Sequence, residues 1–117
     1  MDAATWKGGD DGYGIRVGHE NAEKYFRKEW TDVNLLIDGK NYNFKLSETF
    51  WTTCPEIRGG PIKKWFMARG IHRWDDGKGT YKLELIPVGY KKFKLLEPTG
   101  ERGDGGRRMI NIEILAD

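Results

Sequence analysis

Residues 39–70 read GKNYNFKLSETFWTTCPEIRGGPIKKWFMARG, and three kinds of local structure follow one another in that stretch. Tyr42, Phe44 and Leu46 alternate with Asn41, Asn43, Lys45 and Ser47, the period-two pattern of a strand with one buried face. Pro61 suits the first helical position, where its missing N–H is not needed, and Gly70 suits the left-handed position just past a helix end. Ile62, Trp65 and Phe66 fall at i, i+3 and i+4, so they share one helical face. Between strand and helix lie residues 51–60, a polar loop that a rigid strand and a docked helix hold out to solvent. Loops held in this way tend to carry binding function.

Working outward, the hairpin signal Asp38-Gly39 joins the 42–47 strand to a preceding one at 31–37, with Val33, Leu35 and Ile37 inward. Further upstream, GIRVG at 14–18 reads as a short strand with Ile15 and Val17 on one side and Arg16 on the other. Asn21 can cap a helix reaching about Lys28, in which Ala22, Tyr25 and Phe26 share a face. Residues 1–12 read as a flexible N-terminal arm. Downstream, Trp74-Asp75-Asp76-Gly77 turns the chain and Tyr81, Leu83 and Leu85 alternate with Lys82 and Glu84. Pro87-Val88-Gly89 reads as a turn before Phe93 and Leu95, and Ile110, Ile112 and Ile114 mark a last strand.

Alternation in every strand implies antiparallel pairing with one face buried and one wet. Two helices of about two turns cannot cover such a sheet, so the sheet must curl around its own inner face. The expectation is a mainly β fold: a seven-stranded open antiparallel pseudobarrel with two short helices, formed as a single domain over residues 13–117.

The chain has 117 residues, enough for one core without staples. Its 32% charged residues are balanced by 13% aromatics, which argues against disorder. The 16 glycines, several beside aspartate, fit many tight turns. One cysteine cannot form an internal disulfide, so a reducing compartment is expected. No apolar run approaches the roughly 20 residues that span a bilayer, and the opening residues lack the apolar core of a signal peptide. The expectation is a soluble protein, cytoplasmic or, in a eukaryote, nuclear, with no membrane partner.

Catalysis finds little support in these residues. Cys54 could act as a nucleophile with His19 or His72 as base, but nothing in the spacing brings them together. A packed cysteine at a loop bend is the plainer account. The histidines and Cys54 lack the closely spaced pairs of a zinc site. Gly77-Lys78-Gly79 lacks the longer glycine loop and Ser/Thr that cradle phosphates. Arg102-Gly103-Asp104 is an adhesion tripeptide without a secretion signal, best read as chance. No catalytic residue, metal or cofactor is expected.

Charge distribution says more. Residues 45–73 hold six positive side chains (Lys45, Arg58, Lys63, Lys64, Arg69, Arg73) against Glu48 and Glu56, a local excess of +4. A solvated face explains such an excess in many proteins; beside an exposed loop it also fits a polyanion. Arg16, His19, Glu20, Asn21, Lys24, Arg27 and Lys28 gather around the first helix. Trp51, Thr52, Thr53, Glu56, Arg58 and Lys63 gather around the second. Arginine can fork onto guanine and glutamate can accept from the cytosine amino group, while hydroxyls, lysines and helix-start N–H groups hold phosphates. Single-strand binders expose aromatics on a sheet face. Here most aromatics alternate inward, so a duplex partner fits better.

The same residues resemble the plant B3 DNA-binding domain. That family's pattern has a glycine-lysine hairpin, an aromatic strand ending at a serine and tryptophan, a polar loop and a tryptophan-centred helix. The matching positions are Gly39-Lys40, Tyr42 and Phe44, Ser47 with Trp51, residues 52–57, and Trp65-Phe66. HENAEKYF at 19–26 is similar to the family's histidine-alanine-glutamate-lysine-aromatic-phenylalanine segment, preceded by the alternating Ile15-Arg16-Val17. The resemblance covers about residues 15–70 and implies a pseudobarrel that grips the major groove with two arms, here 16–28 and 51–58. The same fold serves as a recognition domain in some bacterial restriction endonucleases. Arg73-Trp74-Asp75-Asp76-Gly77 stands where the plant pattern has a basic-glycine-aspartate turn, and Gly18 stands where it has proline. Both point to a microbial relative. What the resemblance implies is a double-stranded DNA-binding module, sequence-specific and non-catalytic, beside a protein partner carrying nuclease or regulatory activity. The alternative is a small β-barrel that binds protein or another ligand, which should expose an apolar patch.

Overall fold

The structure, a computed structural model, describes residues 1–8, 12–53, 55–73 and 80–98. In chain order these form β1 (Asp2–Gly8), β2 (Gly12–Arg16), α1 (Gly18–Tyr25), β3 (Asp32–Ile37), β4 (Lys40–Lys45), β5 (Glu56–Arg58), α2 (Gly60–Ala68), β6 (Lys82–Gly89) and β7 (Lys92–Leu95). The seven strands make one open sheet in the order β4-β3-β7-β6-β1-β2-β5. This is the expected mainly β pseudobarrel with two short helices, and its sheet is not closed. One pairing differs from the antiparallel expectation: β3 runs parallel to β7, with Leu35 opposite Phe93. Alternation along a strand reports which face is buried but carries no information about the direction of the neighbour.

The arm expected at 1–12 is instead largely a strand well inside the sheet. β1 pairs with β2 and β6, and it buries Ala3 and Thr5. Small and hydroxylated side chains make that alternation faint in the sequence, although it is clear in the structure. The buried Thr5 hydroxyl is not wasted, since it accepts from the Tyr81 N–H at 3.0 Å.

Asp38-Gly39 makes the expected two-residue turn. Ile37 pairs with Lys40, and both turn residues have positive φ (51° and 82°), the backbone of a type I′ hairpin. α1 begins earlier than expected and stops sooner. Val17 rather than Asn21 precedes it, and Asn21, inside the helix, donates to the Asp2 carbonyl at 2.6 Å and the Val17 carbonyl at 3.0 Å. Its amide therefore ties the helix to β1. Phe26 leaves the helix in extended conformation. Its ring stacks on Phe93 at 5.0 Å and meets Phe50 at 5.1 Å. α2 spans nine residues with proline in its first turn, and Gly70 follows at φ +70°, as expected.

The loop expected at 51–60 is shorter, because Glu56–Arg58 is a strand, and Phe50 just before that loop is fully buried. Pro87-Val88-Gly89 lies within β6 rather than in a turn. A register irregularity between Pro87 and Gly89 absorbs the proline, and the chain reverses at Tyr90-Lys91. Ile15, Val33, Leu35, Ile57, Ile62, Phe66 and Leu85 join Phe50 in the fully buried core. Cys54, the 74–77 turn, Gly77-Lys78-Gly79, Arg102-Gly103-Asp104 and the last strand expected around Ile110 lie outside the described residues. Among the described residues no helix is long and apolar enough to cross a membrane.

Candidate nucleic-acid interface

The two segments singled out in the sequence meet through a strand pair. β2 and β5 run antiparallel, setting Gly14 opposite Arg58, Ile15 opposite Ile57 and Arg16 opposite Glu56. Ile15 and Ile57 are fully buried, so the alternate positions face the other side of this ribbon. A side chain at Gly14 would meet the Ile57 carbonyl at 2.5 Å and the Arg58 side chain at 2.8 Å. Glycine there lets β5 approach and gives Arg58 room to lie across β2. Arg16 and Arg58 are thus diagonal neighbours on one face, about 7–8 Å apart at the backbone, and both are exposed.

The arginines have different surroundings. The Arg58 guanidinium lies over the Trp6 ring, 5.1 Å from its centre. Lys7 and Lys63 flank the Tyr13 ring at 5.8 and 5.7 Å. Gly12, Tyr13, Arg58, Gly59, Gly60 and Lys63 line a shallow groove of about 330 Å³ next to this cluster. Arg16 has a carboxylate behind it, since its Nη2 lies 3.7 Å from Oε2 of Glu56. The Arg16 side chain is 55% exposed and that of Glu56 only 1%. Glu56 therefore does not stand out on a loop to meet a base edge, as its polar surroundings in the sequence imply. β5 turns it inward.

Among the remaining expected contacts, His19, Glu20 and Lys24 are exposed on α1, and Arg27 and Lys28 are exposed just beyond it. Lys24 sits over the Tyr25 ring at 5.6 Å. Asn21 is committed to the two backbone carbonyls named above. Thr52 and Thr53 are exposed in a tight turn, where both amides donate to the Thr49 carbonyl at 3.0 Å. Trp51 is half-buried and meets Phe50 edge-on at 5.2 Å. Lys63 faces the groove from α2.

One contributor to the local positive excess is spent on the fold. Arg69 stacks on Trp65 at 4.5 Å, makes two 2.6 Å bonds to Glu97 and one of 2.8 Å to Asp38. These partners hold its guanidinium pKa above the ordinary value, with the Glu97 hydrogen bond as the main cause. Sequence reasoning missed Trp6, Lys7 and Tyr13, which lay in or beside the expected arm. The signal that could have found them is a hairpin pattern, two aromatics, Trp6 and Tyr13, either side of the glycine- and aspartate-rich run 8–12. Among the described residues no group of His, Cys, Asp and Glu is arranged to hold a metal ion. The chain matches no protein-family model, no curated protein and no solved structure.

Proposed function

We propose that the protein is a sequence-specific double-stranded DNA-binding module that contacts the major groove through the β2–β5 ribbon and the segments flanking it. The observation that carries this reading is the pairing of β2 with β5, through which two exposed arginines from distant parts of the chain share one face. The major groove admits a two-stranded ribbon, and arginine is the side chain most often found forked onto guanine. Lys24, Arg27 and Lys28, together with Lys7, Lys63 and the Thr52-Thr53 turn, supply cations and hydroxyls of the kind that hold phosphates. The B3 resemblance points the same way, and a partner with nuclease or regulatory activity would act on the site so bound.

Salt dependence tests the proposal. Neutralising about four to seven phosphates gives a log–log slope of affinity against salt of roughly −4 to −6. A labelled random duplex titrated at several salt concentrations should follow that slope, and no binding at low salt refutes the proposal. One observation favours a second reading, a protein-binding barrel: Ile86, Val88 and Tyr90 are exposed near the β6–β7 reversal, Tyr90 by 77%. Flat duplex titrations would favour it.

A further inference from the structure

Glu56 is an unusual residue to find inside this fold. Its side chain is 1% exposed, and among the described residues neither carboxylate oxygen has a hydrogen-bond partner. A carboxylate taken out of water and left unbonded is expensive. The charge facing it is Arg16, at 3.7 Å, too long for a hydrogen bond and close enough for strong attraction. The pair differs from an ordinary surface ion pair, in which both side chains swing freely. Here one member is fixed: Glu56 sits between the buried Pro55 and Ile57 on a strand paired to the strand that bears Arg16. The other member is half in solvent. Guanidinium has five N–H donors in a rigid fork. A fixed anion drawing on Nη2 from the neighbouring strand leaves donors free and gives the exposed edge a direction.

We propose that Glu56 is a positioning residue for Arg16: the buried carboxylate orients the guanidinium so that it reads one base pair instead of clamping any phosphate within reach. This inference rests on the DNA-binding reading for its consequence, but its structural half stands apart from DNA. Contact-making is left to Arg16, and Glu56 acts through it.

The experiment has one arm without DNA and one with it. In the first, the Arg16 Nε–H order parameter is measured by NMR on the intact chain, wild type and Glu56→Gln. The neutral amide keeps the shape and removes the charge. A rigid guanidinium in the wild type that becomes mobile in Glu56→Gln supports the proposal. A guanidinium already mobile in the wild type overturns it, even if Glu56→Gln fails to fold. In the second arm, the ratio of affinities for the preferred and a scrambled duplex is compared across variants. Glu56→Gln should lower that ratio by about 5-fold or more, the lower end of what a forked guanine contact discriminates. Arg16→Lys keeps the charge and loses the fork, so it should lower the ratio. Adding Glu56→Gln to Arg16→Lys should change the ratio no further. A further drop in the double variant, or an unchanged ratio in folded Glu56→Gln, overturns the proposal. If the wild type binds no duplex at all, the DNA-binding reading fails by itself, and the order parameters still decide whether Glu56 holds Arg16.

Discussion

Replacing Arg58 by alanine separates stability from recognition, because the structure gives the side chain a modest intramolecular contact and an exposed position. That contact is the stack on Trp6, 5.1 Å from guanidinium to ring centre, and such an exposed cation–π pair contributes about 0.5–1 kcal/mol. With an unfolding entropy of roughly 2.1 cal/mol/K per residue, a chain of 117 residues shifts its Tm by about 4 °C for each kcal/mol. Arg58→Ala should therefore lower Tm by only ~2–4 °C. Its effect on binding should be larger. Loss of a forked guanine contact costs about 1–3 kcal/mol, or ~5- to 150-fold in affinity, and relaxes preference at one base pair. If the side chain holds phosphate instead, affinity falls evenly across sequences and the salt slope flattens by about one. Fluorescence anisotropy of labelled preferred and scrambled duplexes, read at several salt concentrations beside a calorimetric melt, measures all of these. Lys94→Ala is the control, since Lys94 is exposed on β7, four strands away from β5 in the sheet. If Arg58→Ala binds every duplex as tightly as Lys94→Ala does, the assignment of the β2–β5 face is wrong.

Phe26 seats the end of α1 on the barrel through its stack with Phe93 and its contact with Phe50, so Phe26→Ala should cost about 3–5 kcal/mol; a melt unchanged within a few degrees contradicts that packing. Gly39 has φ +82°, and among the described residues nothing lies within 4 Å of where a Cβ would sit. Gly39→Ala should therefore lose only the backbone term, about 1 kcal/mol, with the register of β3 and β4 unchanged in backbone NMR. The Arg69 hydrogen bonds hold the Glu97 pKa below its ordinary 4.5, and the Lys91 hydrogen bond holds that of Asp32 below its ordinary 3.8. Both carboxylates then bind fewer protons in the folded state, and their contribution is present above those ordinary values and lost as pH falls through the depressed folded ones. Denaturant midpoints measured from about pH 6 downward should fall more steeply in the wild type than in Glu97→Gln; parallel profiles refute the role given to Glu97.

Several parts of the molecule are decided locally and are legible residue by residue. Asp38-Gly39 needs positive φ at both positions, and few other pairs tolerate it, so the β3–β4 hairpin is written in two letters. Pro61 and Gly70 bracket α2 for equally local reasons, and Ile62, Trp65 and Phe66 bury the face their spacing marks. Arg16 is exposed, as its alternation with Ile15 and Val17 implies, and Arg58 is exposed at the end of β5. The pairing of strands is not local. Whether a strand lies beside a parallel or an antiparallel neighbour leaves no trace in its own period, so the β3–β7 pairing comes only with the fold. β1 is faint in the sequence because Ala3 and Thr5 are weak hydrophobic signals, strengthened only by the neighbours that cover them. Glu56 and Arg69 show the same limit for charge. Composition counts both as surface groups, yet one is covered beside Arg16 on β5, and Trp65, Glu97 and Asp38 converge on the other from separate elements. Periodicity along a chain fixes which side of an element meets the core. What that side meets, and which charges remain free for a partner, depend on contacts between residues tens of positions apart, and those exist only once the sheet has curled.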